Sequence, residues 1–175
     1  MFRKRENYII VLYIVSKKMN FNSINLQAGL NLLSIVDDEI SHRRELWQKS
    51  IQDLIINTLK VVKSNNPTLG LVISKLRGGE NNEIVELKFT DKQSGLKHIV
   101  NSTTQDILIK GAILLFSQTF NGKILVSYKL PYLSNQTETD LQPLKTIEPD
   151  SLTQDDIEDC LSTFIVCVYN WYNSE

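Results

Sequence analysis

Apolar side chains recur at three- and four-residue steps along Ile40, Trp47, Ile51, Leu54, Ile55, Leu59 and Val62, with Arg44 and Thr58 filling the remaining stripe positions. One continuous stripe of this period predicts a long amphipathic helix over about residues 38–63. Asp37 and Asp38 put negative charge at its N-terminal end, where the helix dipole favours it. Ser64-Asn65-Asn66-Pro67 stops it, because the residue before a proline avoids the α region. Upstream, Ile24, Leu26, Leu30, Leu33 and Ile35 predict a short helix within 22–36, interrupted near Gly29.

The pattern then shortens to strands. Leu69–Leu76 is rich in Leu, Val and Ile and is closed by Gly78-Gly79; Ile84, Leu87 and Phe89 mark a second run. Lys92-Gln93-Ser94-Gly95 reads as a turn into a third strand, Leu96–Val100. Residues 107–120 admit two readings. Asn121-Gly122 is a strong hairpin signal between apolar runs. Alternatively, Thr103 and Asp106 fit a variant capping box, with Ile107, Leu108, Leu114 and Leu115 on one helical face. The helical reading, about 104–118, is the one adopted. Lys123–Tyr132 alternates Ile124, Val126, Tyr128 and Leu130, a strand with one buried face that Pro131 ends. Polar residues 134–150, with Pro143 and Pro149, read as a loop. Thr153 then caps a last helix, about 154–172, whose first turns carry Asp155, Asp156, Glu158 and Asp159. Its apolar positions Ile157, Leu161, Phe164, Val168 and Trp171 are widened by Ile165, Val166 and Tyr169 almost all round the helix.

These elements define an α+β fold: an antiparallel sheet of about four to five strands packed against three helices, 38–63, 104–118 and 154–172. Residues 1–36 form an N-terminal extension of a strand and a short helix, and 37–175 a single domain. The chain has 175 residues, 42% of them hydrophobic and 22% charged, enough for both a core and a polar surface. A formal net charge of -1 makes nucleic acid an unexpected partner, since that role needs a basic patch. Few alanines beside abundant Asn, Ile and Lys suggest the bias of an AT-rich genome, hence a bacterial or phage source.

Near the N-terminus, Arg3, Lys4 and Arg5 precede an apolar run, Tyr8–Val15, far short of the ~20 residues that span a bilayer. A signal-peptide core would be followed by small residues, but Ser16-Lys17-Lys18 stands there. A β-strand, or a start at Met19 that removes the segment, are the alternatives. A cytoplasmic protein with no membrane attachment is expected. Cys160 and Cys167 stand seven residues apart, about 10 Å along a helix, too far for a disulfide within the chain.

Catalysis needs convergent groups. His42 and His98 lie in no metal or triad spacing, and no glycine-rich phosphate loop is present. An enzyme would need Asp37, Asp38 or Glu39 to meet one of those histidines. No catalytic residue, metal or cofactor is therefore expected. Ser50–Lys60 echoes the Asn-bearing helix of histidine-kinase-type ATPases, but the Asp-x-Gly-x-Gly stretch that family needs downstream is missing.

The strand ending Tyr128-Lys129-Leu130-Pro131-Tyr132, followed by Leu152-Thr153-Gln154-Asp155-Asp156-Ile157 and a long apolar helix, resembles type III secretion chaperones and the bacterial sensory-transduction regulators of the same α+β superfamily. The likeness covers residues 122–172 and the order of elements. It implies a dimeric, chaperone-like binding protein without a catalytic set. Phe164, Tyr169, Trp171 and Tyr172 are the expected partner-binding residues, because aromatic side chains are common interface anchors. The partner is expected to be another protein, including a second copy of the chain. The alternative is an accessory or effector protein of phage–host conflict that binds a nucleotide or nucleic acid.

Overall fold

The computed structural model describes residues 23–77 and 83–174. The N-terminal apolar run and Gly78-Gly79 lie outside them. The chain divides into two compact units, Met1–Ser41 and His42–Glu175. The described part of the first unit is helical: α1 spans Ser23–Leu46 and continues through Asp37 and Asp38. The expected interruption near Gly29 and the fresh start at Asp37 are thus corrected. A lone glycine costs only about 1 kcal/mol within a helix, and among the described residues nothing lies within 4 Å of the position a Cβ at Gly29 would take. In this unit Leu26, Leu30, Leu32, Leu33, Ile35 and Val36 are all exposed.

In the second unit, a π-helical turn at Trp47–Ile51 leads into α2, Gln52–Asn65. The turn has a packing reason. Trp47, Ile51, Ile55 and Leu59 are all buried at steps of four, and an α-helix of 3.6 residues per turn would rotate such a series away from the core. One wider turn restores the phase. Among the described residues the Trp47 Nε1 proton has no acceptor.

Eight strands follow among the described residues: β1 Leu71–Arg77, β2 Glu83–Phe89, β3 Lys92–Val100, β4 Thr103–Lys110, β5 Ile113–Gln118, β6 Ile124–Lys129, β7 Tyr132–Leu133 and β8 Gln142–Ile147. They form a five-stranded sheet ordered β1-β2-β5-β6-β8 and a three-stranded sheet ordered β3-β4-β7, in which every pairing is antiparallel. The α+β class holds. The single sheet becomes two, and the expected middle helix, 104–118, is corrected to β4 and β5.

The physical reason sits at Gly111. A Cβ there would lie 1.7 Å from the Phe89 carbonyl oxygen, so only glycine admits that close approach. Phe89 N donates to Ala112 O at 3.0 Å, and Gly111 N donates to Asp91 Oδ1 at 3.0 Å. Lys110 Nζ holds the other Asp91 oxygen at 2.9 Å. These contacts lower the Asp91 pKa, first through the Lys110 hydrogen bond and then through the Gly111 amide. The chain therefore passes from one sheet to the other at Thr90-Asp91 and again at Gly111-Ala112, with Leu130-Pro131 breaking β6 from β7.

Two further expectations change. Lys92–Gly95 belongs to β3 and does not turn; Gly95, at φ 79°, lies where the β3–β4 register shifts. The reversal comes at Asn101 and Ser102, with φ 49° and 64°, the positive pair that a type I′ turn demands. Segment 134–150 holds β8, whose Pro143 stands opposite Ser127 at an irregularity on an edge strand, a place that tolerates proline.

The core lies between α2, a final helix α3 (Gln154–Asn173) and one face of the five-stranded sheet. Val85, Leu87, Leu114, Phe116, Ile124 and Val126 point inward and are fully buried.

Candidate interaction surface

Helix α3 is anchored at its start. Thr153 Oγ1 accepts from Asp156 N at 3.2 Å and the Asp156 carboxylate accepts from Thr153 N at 3.2 Å, a complete capping box. Lys145 from β8 adds a 2.8 Å ion pair to Asp156. These groups hold the Asp156 pKa down to about 2, the Lys145 bond contributing most and the Thr153 contacts next.

Ile157, Cys160, Leu161, Phe164 and Val168 form the inward stripe. The Phe164 ring centroid lies 5.9 Å from that of Phe89 and 6.3 Å from that of Tyr128. Phe164 is 0% exposed, so it is a core residue and no longer a candidate for partner contact. Cys160 is buried and Cys167 half-buried, and both are free thiols. Burial pushes the Cys160 thiol pKa up, which leaves it in its neutral, unreactive form.

The opposite stripe is different. Ile165 is 39% exposed, Val166 56%, Tyr169 65% and Tyr172 49%. Their spacing places them on one side of the helix. Trp171 is half-buried, its ring meeting Tyr172 edge-on at 5.1 Å. From Cys160 to Asn173 the helix carries no charged residue. Of the four aromatic residues expected at a partner surface, Tyr169 and Tyr172 are presented to solvent, Trp171 is at the margin and Phe164 is inside. Ile165 and Val166 complete the surface. Their positions three and four residues before Tyr169 were the signal available in the sequence.

His42 Nε2 stands 3.3 Å from Asp150 Oδ1. His98 is on β3 opposite Gln105. Arg43 reaches Glu148 at 3.0 Å, and Lys123 also pairs with Glu148. Together with Arg44, which donates to Phe120 O at 3.1 Å, these contacts fix the β5–β6 hairpin, whose Phe120 is 87% exposed. Asp37, Asp38 and Glu39 lie on α1. Among the described residues no group of three or more His, Cys, Asp or Glu side chains is placed to hold a metal ion. An open groove of about 630 Å³ is lined by Lys60, Lys63, Ser64, Pro67, Gly70, Leu71 and Thr90. Among the described residues, no helix is long and apolar enough to cross a membrane.

Comparison with known proteins finds no matching family model, no matching curated protein and no matching solved structure.

Proposed function

We propose that the chain is a non-enzymatic, homodimeric protein-binding module of the chaperone-like kind, which holds a partner segment against the outward stripe of α3. The supporting observation is the uncharged surface of Ile165, Val166, Tyr169 and Tyr172 on a helix whose other side is already satisfied by the core. A surface helix of a self-sufficient domain turns polar residues outward. This one turns out two aliphatic side chains and two tyrosines, rigid groups that bring large apolar area and a hydroxyl at low entropic cost.

The test is capture of partners by the tagged chain in its own host cells, compared with a Val166→Lys/Tyr169→Lys variant. The expected result is a specific protein enriched by the wild type and lost with the variant, while the circular dichroism spectra match. Identical capture by both would overturn the reading.

The groove at the end of α2 favours a second reading, a nucleotide-binding accessory protein. Lys60 and Lys63 line it and, among the described residues, form no ion pair, and Ser64 and Thr90 bring hydroxyls. Added nucleotide would then raise the melting temperature through preferential binding to the folded state. An unchanged melting temperature across nucleoside mono-, di- and triphosphates would remove this reading.

A further inference from the structure

The five-stranded sheet has a second face, directed away from α2 and α3. The register places its side chains in three rows. The first is Val72, Lys88, Ile113 and Lys129; the second Ser74, Glu86, Leu115 and Ser127; the third Leu76, Ile84, Ser117 and Leu125. Val72 and Leu76 are each 41% exposed, Ile84, Ile113, Leu115 and Leu125 are half-buried, and Ser127, beside the β6–β8 irregularity, is buried. The central strand β5 reads Ile113-Leu114-Leu115-Phe116, apolar towards both faces. Such a run is the mark of a strand covered on both sides, whereas a sheet with one wet face alternates polar residues outward. Among the described residues of the second unit, α2 and α3 cover the inner side.

Two charges on this face are complementary to each other. Glu86 and Lys88 lie on the same side of β2, two residues apart. Among the described residues Glu86 has no ion-pair partner, and Lys88 reaches Asp91 only at 3.9 Å. Lys129, at the corner, is taken by Glu138 at 2.8 Å. In an isologous interface residue i of one copy meets j of the other and j meets i. A two-fold axis between Glu86 and Lys88 would therefore form two ion pairs at once. The size also fits. Five strands at about 4.8 Å spacing and about 20 Å long give a footprint on the order of 500 Å². Two copies then bury roughly 1,000 Å², the lower bound for a specific interface.

We infer that a second copy of this chain covers the outer sheet face, sheet against sheet, with Glu86 of each copy paired to Lys88 of the other. The inference rests on the homodimer reading above and assigns the surface that makes the dimer, leaving the α3 stripe free for the partner.

The test is the dimer dissociation constant of the full chain, from sedimentation equilibrium, for the wild type, Glu86→Lys, Lys88→Glu and the double swap. Each single swap sets like charges against each other and is expected to weaken the dimer about tenfold, more at low salt. The double swap is expected to restore the affinity to within about threefold, an outcome that a general loss of stability cannot produce. Val166→Lys on α3 is expected to leave the constant unchanged. A dimer insensitive to both single swaps, or a double swap no better than the singles, would overturn the inference and leave the homodimer reading standing. A chain that stays monomeric at all concentrations would overturn both.

Discussion

Strands β2 and β3 are nearly one run of chain, as are β4 and β5, yet their two ends behave differently. In the five-stranded sheet Val85, Leu87, Leu114 and Phe116 are wholly buried. A few residues further on, in the three-stranded sheet, Leu96 is 54% exposed and Ile99 77%. Both parts have antiparallel ladders. What separates them is the helical layer: α2 and α3 stand behind the first, while the principal contacts of β3, β4 and β7 are with one another. A β-ladder closes backbone hydrogen bonds wherever it forms, but it hides apolar area only when another layer meets it. The three-stranded part is accordingly held by its ladder, its Asn101-Ser102 turn, the Asp91 clamp and one buried side chain, Ile107 of β4. The five-stranded part is held by its core.

The sharpest way to break this contrast is at the bend. Gly111→Ala puts a methyl group 1.7 Å from the Phe89 carbonyl, an overlap that neither strand can relieve without moving its backbone. A loss of roughly 5 kcal/mol or more is expected, seen as a chain that fails to give a cooperative melt. A melt like that of the wild type would show that the two strands do not cross as described. Phe164→Ala comes next. It empties a fully buried ring site between α3, Phe89 and Tyr128, and a cost of about 3–5 kcal/mol is expected by urea denaturation. A cost below about 1 kcal/mol would mean that α3 does not back the sheet.

Much of this organisation could be read from the residues. The long helix through Trp47 and Leu59, the cap at Thr153 and the strand from Ile124 to Tyr128 all carry a single clear period, because each has one buried face. The failures share a cause. Residues 113–116 are apolar on both strand faces, so the period of two disappears and a helical face can be drawn through the same residues. The role of Gly111 depends on Phe89, a contact invisible along the chain. Strand β8 is polar and carries Pro143, as an edge strand can, and so it reads as a loop. At the candidate surface, periodicity showed that α3 is too apolar for one buried face. It could not show which side the core would take, and so it placed Phe164 with the tyrosines.

The start of the backing helix gives a smaller, pH-dependent effect. The Asp156 pKa falls from its ordinary 3.8 to about 2 in the folded chain. A group depressed in this way stabilises the fold above its unfolded pKa, and that stabilisation is lost as pH falls through the folded value. The melting-temperature advantage of the wild type over Asp156→Asn is therefore expected to be full at pH 5, to shrink below pH 4 and to vanish near pH 2. An advantage that persists at pH 2 would detach it from the carboxylate. Thr153→Ala removes the cap itself and is expected to cost about 1 kcal/mol.

The smallest effect should come from the unbacked strands, and it tests the contrast from the other side. Leu96 and Ile99 already face water, so replacing them with serine removes little buried area. Leu96→Ser and Ile99→Ser are each expected to change stability by no more than about 0.5 kcal/mol in urea denaturation. Serine forms strands less readily than isoleucine, but that preference spans only about 1 kcal/mol over all residues and is weaker where no neighbour packs against the side chain. A loss near the 3–5 kcal/mol expected for Phe164→Ala would mean that these side chains are covered in solution. If that loss also grew with protein concentration, the covering layer would be a second chain, and the division between a backed and an unbacked sheet would hold only for a single copy.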